Sequence, residues 1–302
     1  EMHAKTSGLA DHFAIDEHDA ARLTRSVVRR LNWRKAGPAP TGAGREPLLD
    51  QEELIGIIPE DLKSPFDPKE IIYRFADESH FDEFKPLYGS SLMTGWAQIH
   101  GYPVGILANA RGVLFSEEAQ KATQFIQLAN SSNTPLIFMH NTTGYMVGKE
   151  YEQGGIIKHG AQMINAVANS KVPHISLITG ASYGAGHYGM SGRAFNPRFV
   201  FSWPSALSAV MGAEQLASVV SSVAAASARA RNSPMSAEAE QHMFNEIRDQ
   251  IDAESLPEFL SGMVYDDGII DPRDTRSVLG LALSAIHSGP VQGADGFGVF
   301  RM

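Results

Sequence analysis

The stretch with the most chemical character is Gly180-Ala181-Ser182-Tyr183-Gly184-Ala185-Gly186-His187-Tyr188-Gly189. It follows an apolar run and opens a helical pattern, so a ligand at the strand end would meet a helix start. Three chemistries fit it. Gly184 to Gly189 spell G-x-G-x-x-G, which in a dinucleotide fold puts a pyrophosphate on the helix N-terminus. That fold also sets an acidic residue roughly 20 positions on, and no Asp or Glu occurs between Gly189 and Glu214. Gly180 to Gly184 spell G-x-S-x-G, the nucleophile elbow of α/β-hydrolases. Ser182, then Asp266, Asp267 or Asp271, then His287 supply the chain order of such a triad. His287, however, continues a helical apolar pattern with Leu279, Leu283 and Ile286, where such a triad would use a loop. The third chemistry needs no side chain. Small residues leave the backbone N–H groups of Ala185 and Gly186 open to a developing oxyanion, with the helix dipole behind them. Glycine serves there because a side chain would block close approach and a positive φ is open to it.

Other polar groups read as structural. His140, His159 and His174 stand in or beside buried-type segments without the spacing of metal ligands, and no metal is expected. Asp266-Asp267 with Asp271 reads as a turn closed by Asp-Gly and then an Asp-Pro helix lead-in, with Arg273 and Arg276 as partners for these acids. The chain has no cysteine, which excludes disulfides, thiolate zinc sites and cysteine nucleophiles. Lys+Arg 25 against Asp+Glu 34 gives a net charge of −9, which argues against nucleic-acid binding. No G-x-x-x-x-G-K-[ST] phosphate loop occurs. No apolar run reaches the roughly 18 residues of a membrane span. The start, Glu1-Met2-His3-Ala4, lacks a signal-peptide core and reads as part of a longer or processed chain.

The elements that must position the glycine turn follow from periodicity. Residues 16–31 space Ala20, Leu23, Val27 and Leu31 as an amphipathic helix with Asp16 as N-cap. Residues 35–44 are rich in Pro, Gly and Ala, which marks a linker. Gln98 to Leu107 reads as two strands about a tight turn. Ser116 caps a helix over 117–130. Pro135-Leu136-Ile137-Phe138-Met139 and Pro173-His174-Ile175-Ser176-Leu177-Ile178 are short apolar runs, as in strands buried on both faces. Each is followed by glycines and a helix, the first helix spanning 156–170. Short strands follow at 198–202 and 207–211. Helices fill 213–231, 236–256 and 274–287, and the apolar faces of the first two suit an interface. Strands alternating with helices give an α/β layer fold.

Several segments together resemble the carboxyltransferase (β) subunit of biotin-dependent acyl-CoA carboxylases. They are Asn141-Thr142-Thr143-Gly144-Tyr145-Met146-Val147-Gly148, Gly154-Gly155-Ile156-Ile157-Lys158-His159-Gly160-Ala161, Ser182 to Met190, Trp203-Pro204 with Val210-Met211-Gly212, and Asp266 to Arg276. The Tyr-Met-Val-Gly and Phe-Gly-Val-Phe-Arg-Met forms look most like the methylcrotonyl-CoA and geranyl-CoA carboxylase branch. The resemblance implies a crotonase-like (ClpP/crotonase) α/β fold of repeated ββα units. Residues 1–35 would be the tail of a first domain, 36–59 a linker and 60–302 the whole second domain. It implies transfer of CO2 from carboxybiotin to an acyl-CoA, with 3-methylcrotonyl-CoA favoured, through an enolate. A crotonase-type CoA hydratase or isomerase and a Ser182 hydrolase are the alternatives. Matched to the family, the Ala185 and Gly186 N–H groups would hold the biotin ureido oxygen. Gly144, Tyr145, Gly154, Gly155, Gly184, His187 and Tyr188 would line the biotin and substrate pocket. Biotin would arrive on a carrier domain of a biotin carboxylase (α) subunit, never attached to this chain. The acyl-CoA thioester would lie against another subunit's first domain, and the β subunits would form a hexamer. The place would be the cytoplasm of a bacterium, which is favoured, or the mitochondrial matrix of a eukaryote, without membrane or nucleic-acid contact.

Overall fold

A computed structural model describes residues 1–301 except 60, 63 and 65. Its strands are β1 (Asp82–Glu83), β2 (Leu92–Ile99), β3 (Tyr102–Asn109), β4 (Gly112–Leu114), β5 (Leu136–Tyr145), β6 (His174–Tyr183), β7 (Phe199–Ser202) and β8 (Leu207–Ala209). Its helices are α1 (Met2–Lys5), α2 (Glu17–Arg30), α3 (Pro68–Phe75), α4 (Ser116–Ser131), α5 (Lys149–Gln153) and α6 (Ile156–Asn169). After them come α7 (Gly184–Gly189), α8 (Ala213–Ala230), α9 (Ala237–Glu254), α10 (Pro257–Gly262) and α11 (Thr275–Ile286). None is long and apolar enough to cross a membrane among the described residues.

The sheet runs β1-β2-β3-β5-β6-β7, antiparallel from β1 to β3 and parallel from β3 to β7. The two long parallel strands change partners along their length. β5 pairs with β3 through Leu136–Met139 and then with β4 through 142–145. β6 pairs with β7 through 175–178 and then with β8 through 181–183. The shared plan of the two units is therefore a shared geometry, and it extends each strand well beyond the apolar run that marks it. The run ends near Met139 and Ile178, where small and polar residues take over the second tier.

Alternating side chains of β5 serve opposite faces, as period two requires. Ile137 and Met139 join a core with Ile71, Phe75, Ile106, Leu279 and Leu283, under α3 and α11. Leu136 and Phe138 join another with Phe125, Met163, Ala166 and Val167, under α4 and α6. Burial on both faces explains why these strands lack alternation in sequence.

Most boundaries match the periodicity. Asp16 caps α2 by accepting from the Asp19 N–H at 2.7 Å. Ser116 is the first residue of α4 rather than its cap, and Glu118 reaches back to the Phe115 N–H at 3.1 Å. The Pro- and Gly-rich segment lies against the body: Ala36 donates to Ser288 O at 3.0 Å and Thr41 to Gly101 O at 2.9 Å. Further along it, Leu54 is buried in the core of Ile71 and Phe75.

Arg276 departs from the sequence reading, which paired it with the nearby acids. It reaches the distant Asp77 at 2.7 Å, both side chains being buried. Asp77 also accepts the N–H groups of His100 (2.9 Å) and Gly101 (2.8 Å), the two residues that turn β2 into β3. The reason is topological: Arg276 opens α11, which packs across α3 and β2. Removing one member of such a pair strands the other charge. Asp77→Ala is expected to lower stability by about 3–5 kcal/mol, read from a urea midpoint. A loss below about 1 kcal/mol, the worth of an exposed pair, would contradict this role.

Candidate active site

The two glycine turns meet at the C-terminal ends of β5 and β6. Thr142 of β5 stands opposite Ser182 of β6, and β6 runs straight into α7. Gly184 has φ +48°, and a Cβ there would lie 2.7 Å from the Val210 carbonyl oxygen. A Cβ on Gly186 would lie 2.9 Å from the Cα of Gly144 and 2.9 Å from two side-chain atoms of Thr142. The first turn of α7 thus rests directly on the backbone of β5. The N–H groups of Gly184, Ala185 and Gly186 have no intrahelical acceptor. Ala185 is exposed and Gly186 buried, so this donor pair spans the boundary between protein and solvent. Such a pair is suited to an anionic oxygen.

The remaining expected site residues separate into groups. Gly144 abuts Gly186. The Tyr145 ring fills the space between α6 and α7: a Cβ on Gly160 would be 3.3 Å from it and one on Gly189 2.4 Å from its hydroxyl oxygen. Its hydroxyl points at Met163 Sδ at 3.3 Å, and burial pushes the phenol's pKa up. Gly154 and Gly155 lie between α5 and α6, Gly155 capping α6. Gly184, His187 and Tyr188 line a cavity of about 600 Å³. Its apolar wall comes from Val210, Leu216, Ile251, Phe259 and Leu260. Its polar side carries Asp266 Oδ1 and Ser208 Oγ, both buried without a partner among the described residues. Ala185, Gly186, Gly144, Tyr145, Gly154 and Gly155 are not in that wall. The N–H pair and the cavity therefore flank the same short helix.

The triad of a hydrolase is not assembled. His287 follows α11, bonds Leu283 O through Nδ1 at 2.8 Å and packs on Tyr102, at the first residue of β3. Ser182 stands near the last residue of β6, and β3, β5 and β6 run parallel, so the two lie at opposite ends of the sheet. The acids are engaged elsewhere. Asp266 accepts from Ser202 at 2.7 Å, Asp267 pairs with Arg193 at 3.2 Å and Asp271 with Arg273 at 2.7 Å. The Arg273 contact holds the Asp271 carboxyl down at about 2. No three His, Asp or Glu side chains gather as a metal site among the described residues.

Sequence reasoning missed a polar cluster at the turn. Ser182 Oγ lies 2.8 Å from Nδ1 of His140 and 2.8 Å from Nδ1 of His187. Nothing in the spacing links His140 to a serine 42 residues away; only the parallel register of β5 and β6 does.

Residues 1–297 match the carboxyl transferase domain family. The chain is 68% identical over 302 residues to the probable biotin-dependent acyl-coenzyme A carboxylase beta2 subunit of Mycobacterium tuberculosis, covering 100% of this chain and 57% of that one. It is 48% identical over 304 residues to the mitochondrial methylcrotonoyl-CoA carboxylase beta chain of Dictyostelium discoideum, covering 100% and 51%. The beta subunit of P. aeruginosa geranyl-CoA carboxylase superposes with a TM-score of 0.80 at 40% identity, over 100% of this chain and 57% of that one. The chain thus spans about half the length of the curated relatives it matches. The fold is the crotonase-like α/β arrangement shared with those structures.

Three histidines along β5, β6 and α7, His140 and His174 buried and His187 half-buried, make the fold acid-sensitive. Burial lowers the pKa of His140 and His187, and takes that of His174, held between Ser191 and Ser170, to about 4. A folded pKa below the unfolded 6.5 means that the unfolded chain binds more protons in between. The stability is complete above about pH 6.5 and is lost as pH falls toward the folded value. For His174 alone the loss between pH 7.5 and 5 is about 2 kcal/mol. Urea melts of His174→Gln at the two pH values should show a correspondingly smaller loss than the parent; an unchanged loss would contradict the assignment.

Proposed function

This chain belongs to the carboxyl transferase domain family, and from that premise we propose that it supplies the biotin-facing half of an acyl-CoA carboxylase's carboxyltransferase site. The observation that carries the reading is the contact of Gly186 with Gly144 and Thr142, a cradle that any Cβ would fill. It sets the N–H groups of Ala185 and Gly186 at the start of α7, without an intrahelical acceptor, as donors for a planar ureido oxygen.

Carboxybiotin, on the carrier domain of a partner subunit, supplies CO2 and the basic ureido group that lets the acyl-CoA become an enolate. The work of this chain is to bind and orient. The N–H groups of Ala185 and Gly186 donate to the oxygen on which charge grows, and the preceding turn fixes their direction before the reaction begins. The N-terminal end of α7 adds its partial positive charge. Thr142 holds the facing strand by accepting the Gly144 N–H at 3.2 Å and donating to Gly112 O at 3.0 Å. Tyr145 supports α7 from below, and His187 and Tyr188 form the side that faces the cavity. None of these roles moves a proton to an enzyme side chain.

The relative at 48% identity, a methylcrotonoyl-CoA carboxylase beta chain, favours an acyl-CoA of the methylcrotonyl type as substrate. Residues 1–35 fit the tail of a preceding domain, 36–59 the connection and 60–302 the second domain. The amphipathic α2, whose Val27 and Val28 are exposed together with Leu31 just after it, has a face to offer such a domain. In the assembly, a biotin-carrying subunit docks at the turn, and the thioester lies on another copy's first domain within a β hexamer.

In the full-length subunit with its biotin partner and ATP, ¹⁴C-bicarbonate should enter 3-methylcrotonyl-CoA. A panel that includes propionyl- and geranyl-CoA sets the acyl preference. Gly186→Val should cut incorporation on the order of 10² to 10³ while assembly, read by size exclusion, persists. Undiminished incorporation in that variant would refute the proposed donor pair.

A further inference from the structure

The turn that presents the N–H pair is held by side chains as well as by backbone. The parallel ladder between β5 and β6 shifts register between His140 and Thr142, just where the strands approach the turn. At that point one hydroxyl joins three elements: Ser182 Oγ on β6 contacts His140 Nδ1 on β5 and His187 Nδ1 on α7, each at 2.8 Å. His187 is fixed from its other side, where its Nε2 accepts the Arg193 N–H at 3.3 Å. Gly192 packs against the same ring, and its N–H donates to the His187 carbonyl at 2.8 Å.

We propose that the His140–Ser182–His187 chain is a positioning device that sets the aim of the Ala185 and Gly186 N–H groups.

The proposal rests on the carboxyltransferase reading, and the direction of each bond supports it. Because His187 Nε2 accepts from a backbone N–H, the ring's proton sits on Nδ1. Nδ1–H therefore donates to Ser182 Oγ. The hydroxyl's single proton then donates to His140 Nδ1, the one acceptor left to it. With both imidazoles neutral, each group then has one role in this arrangement, and the His140 proton sits on its buried Nε2. Burial favours the neutral form in both rings, and their 5.5 Å separation disfavours two charges together. The charged groups on the cavity side of His187 are Arg193, Glu254 and Asp266. None of the three makes a side-chain hydrogen bond to either ring. Two residues beyond Ser182 the turn begins, and four beyond it lies Gly186, so a tilt of Ser182 reaches the donors directly. Ser182 and His140 touch no reacting atom in this account; they act through the turn.

The test uses the full-length subunit assembled with its biotin partner. Ser182→Ala and His140→Leu should each lower kcat for carboxyl transfer about tenfold, the worth of one hydrogen bond. KM for the acyl-CoA should stay within about twofold, since that substrate contacts other surfaces. His140→Gln, whose Oε1 can accept from Ser182, should recover most of the lost kcat. Amide hydrogen exchange of residues 184–187 should quicken in Ser182→Ala while β2 and β3 keep their protection. Unchanged kcat and unchanged exchange would overturn the proposal. So would a rise in KM alone, or a His140→Gln no better than His140→Leu. A loss in Ser182→Ala near the 10⁴ or more of a missing nucleophile would make Ser182 a chemical group and end the positioning role. Should the parent assembly transfer no carboxyl group, the functional reading fails, and the exchange result alone decides whether the chain positions the turn.

Discussion

The fold converges on one close approach, that of Gly186 to the backbone of Gly144 and the side chain of Thr142. At 2.9 Å from any added Cβ, two chain segments touch where most proteins would place a side chain. The contact has two consequences. It brings the turns of successive units together at one end of the sheet. It also leaves the backbone, the least variable donor a protein has, as the group presented to a ligand. A donor fixed in this way needs little reorganisation when charge develops on its acceptor, and this is the condition under which such hydrogen bonds lower a barrier most.

The rest of the chain keeps that approach in place. β5 and β6 are parallel and in register over five successive pairs, Leu136 to His140 against His174 to Ile178, before the ladder shifts. Cores on both faces hold the strands rigid, with α3 and α11 on one side and α4 and α6 on the other. The tiers formed by β4 and β8 carry the strands past their apolar runs to the turns. At the opposite end of the sheet, the buried Asp77–Arg276 pair fastens the β2–β3 turn to α11. A cluster of polar side chains near the turn, His140, Ser182, Asn141 and Thr179, bridges the strands where the backbone ladder is irregular. The region can be read as a stiff scaffold that narrows to a single polar tip.

Much of this was legible in the sequence, for physical reasons. Pro135 to Met139 and Pro173 to Ile178 are apolar runs too short for helices and bounded by breakers, so their strand character and burial on both faces followed directly. The Asp16 cap and the tight turn between two strands within 98–107 rest on local chemistry and needed no tertiary information. The turn at 184–189 drew attention because glycine density after a buried strand is costly unless backbone must approach something closely. What stayed hidden depends on distance in sequence. Arg276 and Asp77 are 199 positions apart, and nothing local favours that partner over Asp271. His140 and Ser182 meet only because the strands are parallel. The cavity beside α7 takes its wall from β8, α8, α9 and α10, and no motif ties those elements to the turn. The G-x-S-x-G motif could not decide the Ser182 alternative by itself for the same reason, since a pattern of five residues carries no information about where His287 lies.

The central claim is that two backbone N–H groups hold an anionic ureido oxygen. The most direct measurement is infrared difference spectroscopy of the full-length assembly carrying biotin labelled with ¹³C at the ureido carbonyl. Binding at the turn should move the carbonyl stretch to lower frequency than in water, and Gly186→Val should return it to the aqueous position. A stretch at the aqueous value in the parent assembly, or a shift that survives Gly186→Val, would contradict the account.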